Sequence, residues 1–253
     1  MTDAECVVFL QWALPRMGLR WQGFRKVRRQ VCRRVSRRIT DLGLTELDAY
    51  REHLAGNEQE WDVLAALCRL TISRFWRDRA VFEALRDEVL PELGPAVSAW
   101  SVGCASGEEP YSLVLAAAAA GVEIHVVATD VDPVLLERAR RAVYPESSLR
   151  DLPSGIRARA FEDGRLRREY REPVAFVRRD VRDGAPDGPF DLVLCRNVVF
   201  TYFAEERQLE VGRHLARSLR AGGALVVGAH ETLPKELDAL EPWPAVGGVH
   251  RRA

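Results

Sequence analysis

The sequence carries no excess charge of either sign. Its 37 Lys and Arg residues balance 37 Asp and Glu, so there is no global field to gather nucleic acid or acidic lipid. Long apolar runs are missing too. The longest, Leu113 to Gly121, is alanine-rich and falls short of the roughly 20 residues a membrane-spanning helix needs, so no membrane insertion is expected. The five histidines form no H-E-x-x-H pair, and Cys6, Cys32, Cys68, Cys104 and Cys195 form no C-x-x-C; no metal site is expected. No secretory leader is read at the start, where Asp3 and Glu5 precede a short apolar run continuing into an amphipathic helix. Reduced thiols in a cytoplasmic protein follow as the expectation. Repeats and low-complexity segments are also lacking.

What is present is a chain of 253 residues with 47% hydrophobic content, enough for one large domain and a smaller companion. The first part reads as helices. Phe24, Val27, Val31, Val35 and Ile39 recur at three- and four-residue steps, giving one apolar stripe. Arg25, Lys26, Arg28, Arg29, Arg33, Arg34, Arg37 and Arg38 fill the other faces. A second helix is expected from Thr45, with Asp48 as a capping-box acid, and a third through Trp61, Leu64, Leu67 and Cys68.

From Ala96 short apolar strands alternate with helices. Strands are expected at Val97–Val102, Ile124–Thr129, Val174–Val177, Asp191–Cys195 and Ala224–Gly228. Helices are expected near Pro110–Ala120, Pro133–Val143 and Glu205–Leu219, the last stopped by Ala221-Gly222-Gly223. Trp243 to Arg252 reads as a terminal antiparallel hairpin. The alternation predicts an α/β fold, a doubly wound and mostly parallel sheet, preceded by a small all-α domain. The expected boundaries are a helical domain over 1–74, a linker helix over 75–94, and the α/β domain over 95–253 with a short insertion near 149–173.

The segment Val102-Gly103-Cys104-Ala105-Ser106-Gly107-Glu108-Glu109-Pro110 follows one strand and opens a helix. Gly103 and Gly107 allow a sharp turn and close approach to a ligand, and Pro110 suits a first helical turn. Glu108 and Glu109 stand where a pyrophosphate would lie in a dinucleotide enzyme, and like charges oppose such a ligand. They favour a cofactor with a cationic end, such as the ammonium and sulfonium of S-adenosylmethionine (SAM). Asp130 ends the second strand, where a carboxylate can accept from ribose hydroxyls. Asp180, after the third strand, is a candidate for the adenine amino group. The plainer readings are surface carboxylates at a helix start for Glu108 and Glu109, and a helix cap for Asp132. Cys104 and Cys195 read as small buried residues rather than nucleophiles.

These residues resemble the CheR-type protein-glutamate O-methyltransferases of chemotaxis over most of the chain. GCASGEEPYS and ATDVDPVLLERARRAVY are similar to the family's cofactor motifs, as are FDLVLCRNVVFTYF and LRAGGALVVGAHETL. Thr71-Ile72-Ser73-Arg74-Phe75-Trp76-Arg77-Asp78 resembles the family's Asn-x-Thr-x-Phe-Phe-Arg-Glu segment. The basic helix around Lys26 to Arg38 resembles the receptor-facing one. The resemblance implies a SAM-dependent methyltransferase leaving S-adenosylhomocysteine (SAH). It implies that Ser73 and Arg77, with Thr71 beside them, face the cofactor. Glu108 would hold the methionine end, Asp130 the ribose, and Asp180, next to Val181, the adenine. Arg196 and Asn197 would line the pocket. Tyr202 would be the active-site tyrosine, although one extra residue after Asn197 leaves Thr201 as the alternative. The 149–173 region is shorter than the family's β-subdomain and gives no support for tethered receptor docking.

A glutamate acceptor, with a pKa of about 4.3, is already ionised near neutrality and needs no general base. Alignment and removal of water are the tasks left to the protein; bidentate pairing suits Arg77 to the first. For the basic helix, a solvated face, a dock for an acidic helical protein and a nucleic-acid site are the three readings. The protein dock is preferred, and no aromatic platform supports nucleic acid. A methyltransferase acting on another acceptor and a non-catalytic cofactor sensor remain as alternatives.

Overall fold

In the computed structural model, which describes residues 1–244 and 246–253, the chain forms two units. One is Met1–Thr71 with Thr201–Arg207; the other is Ile72–Phe200 with Gln208–Ala253.

The first unit holds α1 (Asp3–Arg16), α2 (Trp21–Phe24), α3 (Arg28–Asp41), α4 (Leu47–Ala55) and α5 (Glu58–Cys68). A capping box starts α1: the Thr2 hydroxyl accepts from Glu5 N, and the Glu5 carboxylate accepts from Thr2 N. On α3 the four-step row Val31, Val35 and Ile39 is buried with Phe9, Leu10, Tyr50 and Leu64. Each such side chain contributes about 1.5–3 kcal/mol, so Val35→Asp would break this packing. The arginines of α3 divide by face. Arg28 pairs with Asp3, Arg38 with the buried Glu60, and Arg34 donates to the carbonyls of Leu67 and Arg69. Arg29, Arg33 and Arg37, at four-residue steps, stay exposed, as do Arg25 and Lys26 before the helix.

Two expectations are corrected in this unit. Cys6 on α1 and Cys32 on α3 form a disulfide, with Cα atoms 5.9 Å apart, so the thiols are not all reduced. Helix packing brings the pair within bridging distance, which a separation of 26 residues does not signal. No capping box forms at Thr45 and Asp48: α4 begins at Leu47 after an uncapped Glu46, and Asp48 pairs with Arg51.

The segment Thr201–Arg207 is bound to the α1–α2 connection. Arg20 N donates to Tyr202 O at 2.8 Å, Ala204 N to Gly18 O at 2.9 Å, and Leu19 bridges Phe203. A Cβ on Gly23 would stand 2.2 Å from Thr201 O, so this contact requires glycine.

The second unit opens with α6 (Arg79–Ala84), a π-helical turn (Leu85–Val89) and α7 (Leu90–Leu93). Then follow β1 (Ala96–Val102), α8 (Glu108–Ala120), β2 (Glu123–Asp130) and α9 (Pro133–Arg141). The insertion holds α10 (Glu146–Leu149), α11 (Ser154–Ala160), β3 (Phe161–Glu162), β4 (Arg165–Leu166) and α12 (Arg168–Arg171). Asp163 and Gly164 both have positive φ, the backbone of a tight two-residue hairpin turn. The remainder is β5 (Val174–Arg178), β6 (Phe190–Cys195), α13 (Val199–Tyr202), α14 (Glu205–Ser218), β7 (Leu219–Val227), β8 (Leu240–Pro242) and β9 (Val249–Arg252), residues 201–202 of α13 and 205–207 of α14 being those of the first unit. The helix expected to stop at Gly222-Gly223 ends earlier, because Leu219 already pairs with Phe190 on β6. The terminal hairpin is β8–β9, antiparallel, but its first strand lies before the expected start at Trp243; Ala245, inside the expected range, lies outside the described residues.

The seven-stranded sheet runs β5-β2-β1-β6-β7-β9-β8. Its first five strands are mutually parallel and β9 is antiparallel to β7. The expected doubly wound sheet with a helical N-terminal part is what forms. Strand order reverses between β1 and β6, and the crevice beyond the carboxyl ends at such a switch point is where ligands bind in open α/β sheets. Among the described residues no helix is long and apolar enough to cross a membrane.

Candidate active site

Gly103 directly follows β1, Asp130 ends β2, Asp180 comes shortly after β5, and Arg196 and Asn197 follow β6. Parallel pairing places all of them at one edge of the sheet. The loop from Gly103 to Gly107 turns sharply: φ is +66° at Gly103, +49° at Ala105 and +91° at Gly107. A Cβ on Gly107 would come within 2.9 Å of the Ala139 Cβ, so close packing against α9 also demands glycine there. Cys104 N donates to Thr129 O, and Asp130 Oδ2 accepts from Ala105 N at 2.9 Å. Asp130 Oδ1 accepts from Asp132 N. The carboxylate expected to meet ribose therefore also anchors the glycine loop.

The adjacent glutamates have separate surroundings. Glu108 is 2% exposed and accepts from the Ser106 hydroxyl. Glu109 accepts from Ser101 Oγ and pairs with Arg196. Burial pushes the Glu109 carboxyl above its ordinary value, while Arg196 pulls it down. Asp132 caps α9, accepting from Val134 N and Leu135 N, as its plainer reading has it. Asp180 accepts from Arg182 N and is paired with the Arg182 guanidinium, and Val181 beside it is buried. Burial pushes the thiols of Cys104 and Cys195 well above the ordinary value, which keeps them protonated and suits the reading as small buried residues.

Arg196 turns inward. Its side chain is 1% exposed, donating to Asp78 Oδ2 at 2.7 Å, Glu109 Oε2 at 3.2 Å and the Arg77 carbonyl at 2.9 Å. The guanidinium carbon lies 5.2 Å from the centre of the Phe82 ring. The partners Asp78 and Glu109 are not legible as a pair, because they reach Arg196 across 118 and 87 residues. Trp76 and Asp78 adopt left-handed backbone, with φ of 57° and 61°, strained for non-glycine residues. Buried Phe75 and Trp76 fix this turn, with Trp76 N donating to Ser112 Oγ. Between Trp76 and Asp78, Arg77 is half-buried, and one of its nitrogens donates to the Ile72 carbonyl. The rest of its guanidinium makes no hydrogen bond among the described residues.

The other expected residues fall as follows. Ser73 is half-buried in the second unit, whereas Thr71 is exposed at the end of the first. Asn197 has left-handed backbone at φ +57°, and its N–H donates to Glu231, a residue without an expected role. Tyr202 belongs to the first unit, its ring 5.0 Å from that of Phe24; Thr201 accepts there from Arg20 through its carbonyl.

Comparison with known proteins supplies the family. The CheR methyltransferase SAM-binding domain matches residues 71–246. A chemotaxis protein methyltransferase of Listeria monocytogenes is 32% identical over 219 residues, 83% of this chain and 83% of that protein. The chemotaxis protein methyltransferase of Escherichia coli is 30% identical, over 81% of this chain and 76% of its own. Among solved structures, the N-methyltransferase NodS of Bradyrhizobium japonicum in complex with SAH has a TM-score of 0.39 at 18% identity, covering 63% of this chain and 64% of its own. With the acidic glycine loop at the switch point of its sheet, the chain belongs to the CheR methyltransferase family and is a SAM-dependent methyltransferase.

Proposed function

We propose that the chain methylates glutamate side-chain carboxylates of a chemoreceptor-like signalling protein. The names of the relatives support the acceptor class, since they are chemotaxis protein methyltransferases. One observation carries the chemistry: the half-buried Arg77 guanidinium stands on a turn whose backbone is held by the Arg196–Asp78–Glu109 network. A cation on a fixed mount can align a carboxylate, which is the main task when no proton has to be removed.

The donor set fits SAM. Glycine backbone at Gly103 and Gly107 permits close approach, and the carboxylates of Glu108, Asp130 and Asp180 suit an ammonium, ribose hydroxyls and an adenine amino group in turn. Once bound, SAM supplies an electrophilic methyl group on a sulfonium. Thr71, Ser73, Val181 and Asn197 complete the proposed surroundings, with Arg196 acting through the backbone of Arg77. Tyr202, or Thr201 in its stead, orients the acceptor side chain.

The acceptor docks on the exposed row Arg29, Arg33 and Arg37 together with Arg25 and Lys26. An acidic helix is the complementary partner. A cytoplasmic location belongs to the proposal, with the Cys6–Cys32 bridge subject there to a reducing environment. Transfer of labelled methyl from SAM to a chemoreceptor signalling fragment, followed by mild base, tests the function. Release of labelled methanol is the expected result, abolished in Arg77→Ala while SAH affinity is retained. Base-stable label or a small-molecule product would reassign the acceptor; SAH binding without any turnover would make the chain a sensor.

A further inference from the structure

We propose that Glu231 is a positioning residue that sets the cofactor-facing turn after β6. The chain leaves β7 through Gly228 to Glu231, where Glu231 N donates to Gly228 O at 2.9 Å. A single carboxylate oxygen, Oε2, then accepts from two backbone N–H groups: Gly228 at 2.6 Å and Asn197 at 2.8 Å. The parallel ladder of β6 and β7 ends at Cys195 and Val227. Glu231 thus bridges the two strands just past their last pairing through one oxygen atom, an arrangement set by the reach of its side chain.

The turn it holds includes a left-handed residue. Asn197 has φ +57°, a left-handed state that asparagine tolerates better than other non-glycine residues and that its N–H bond to Glu231 fixes here. Gly228 leaves the room: a Cβ there would stand 2.8 Å from Glu231 Oε2 and 3.1 Å from both polar atoms of the Asn197 amide. The constraint continues to Val198, whose Cγ2 lies 2.7 Å from where a Cβ on Gly103 would be. Glu231, Asn197, Val198 and Gly103 therefore form one contiguous path from the exit of β7 to the glycine loop. The inference rests on the proposal that Gly103 and Asn197 face the cofactor.

Two conservative substitutions separate reach from charge. Glu231→Gln keeps the length and a carbonyl oxygen able to accept twice. Glu231→Asp keeps the charge on a side chain one methylene shorter. SAH affinity is measured by calorimetry on the full chain and both variants, with thermal melting and steady-state kinetics alongside. The Gln variant should bind within about threefold of wild type, and the Asp variant on the order of tenfold more weakly. The Asp variant's loss should fall on KM for SAM more than on kcat. A Gln variant that is weakened or unfolded, or an Asp variant that binds like wild type, overturns the proposal. Failure of the wild type to bind SAH would instead overturn the cofactor reading beneath it.

Discussion

Replacing Arg196 with methionine would expose how the site is braced. The substitution removes donors to Asp78, Glu109 and the Arg77 carbonyl from a side chain that is 1% exposed. Breaking a buried ion pair costs about 3–5 kcal/mol, mostly through the charge left behind. Asp78 is about one-third exposed and can rehydrate, so the low end applies, about 3 kcal/mol. That corresponds to roughly 6–12 °C in melting temperature for a domain of this size. The remaining penalty falls on Glu109, whose carboxyl is already raised by burial and opposed by Arg196; without Arg196 it rises further. A carboxyl raised in the folded state binds its proton more readily there than when unfolded, so acidification favours the fold. The deficit of Arg196→Met should thus be largest near neutrality and shrink as the pH falls towards the ordinary glutamate value. Adding Glu109→Gln should recover about 1–2 kcal/mol, because the stranded charge is gone. Urea unfolding of the four proteins of this cycle at two pH values provides the test. A single variant within 1 kcal/mol of wild type, or a double variant with no recovery, would refute the bracing argument.

Two further outcomes are expected. Glu60→Ala should destabilise the first unit by about 2–3 kcal/mol, since it strands the part-exposed Arg38 and the buried Tyr50 hydroxyl; urea unfolding measures this. Hydrogen bonding to Arg38 holds the Glu60 carboxyl below its ordinary value. Its contribution is therefore present above that value and lost as the pH falls through the lowered one, a loss the Ala variant should not show. Gly23→Ala should cost about 2 kcal/mol or more, because its Cβ meets Thr201 O at 2.2 Å and backbone yields little. Melting of that variant, with hydrogen exchange at residues 201–204, would show whether the segment has detached.

The parts of the molecule legible in the sequence are those encoded by neighbours. The strand-to-glycine turn at Val102 to Gly107, Asp130 at the end of β2, and the four-step row Val31, Val35 and Ile39 all follow from local period and backbone freedom. What could not be read depends on residues far apart in the chain. Thr201–Arg207 joins the first unit by backbone bonds to Gly18 and Arg20, across a separation that leaves no periodic trace. The Cys6–Cys32 bridge depends on helix packing in the same way. Arg196 shows a subtler limit. Its place after β6 is legible, but its inward direction is decided by Asp78 and Glu109, each brought by a different segment. Glu231 carries no signal in its spacing, since it acts on backbone N–H groups.

Calorimetric titration of the intact protein with SAH, and separately with ATP, bears most directly on the acidic glycine loop as the cofactor site. Saturable one-to-one binding of SAH with none of ATP is predicted, because Glu108 accepts an ammonium and, with Asp130, repels a triphosphate. Absence of heat with SAH, or equal binding of both compounds, would contradict the account.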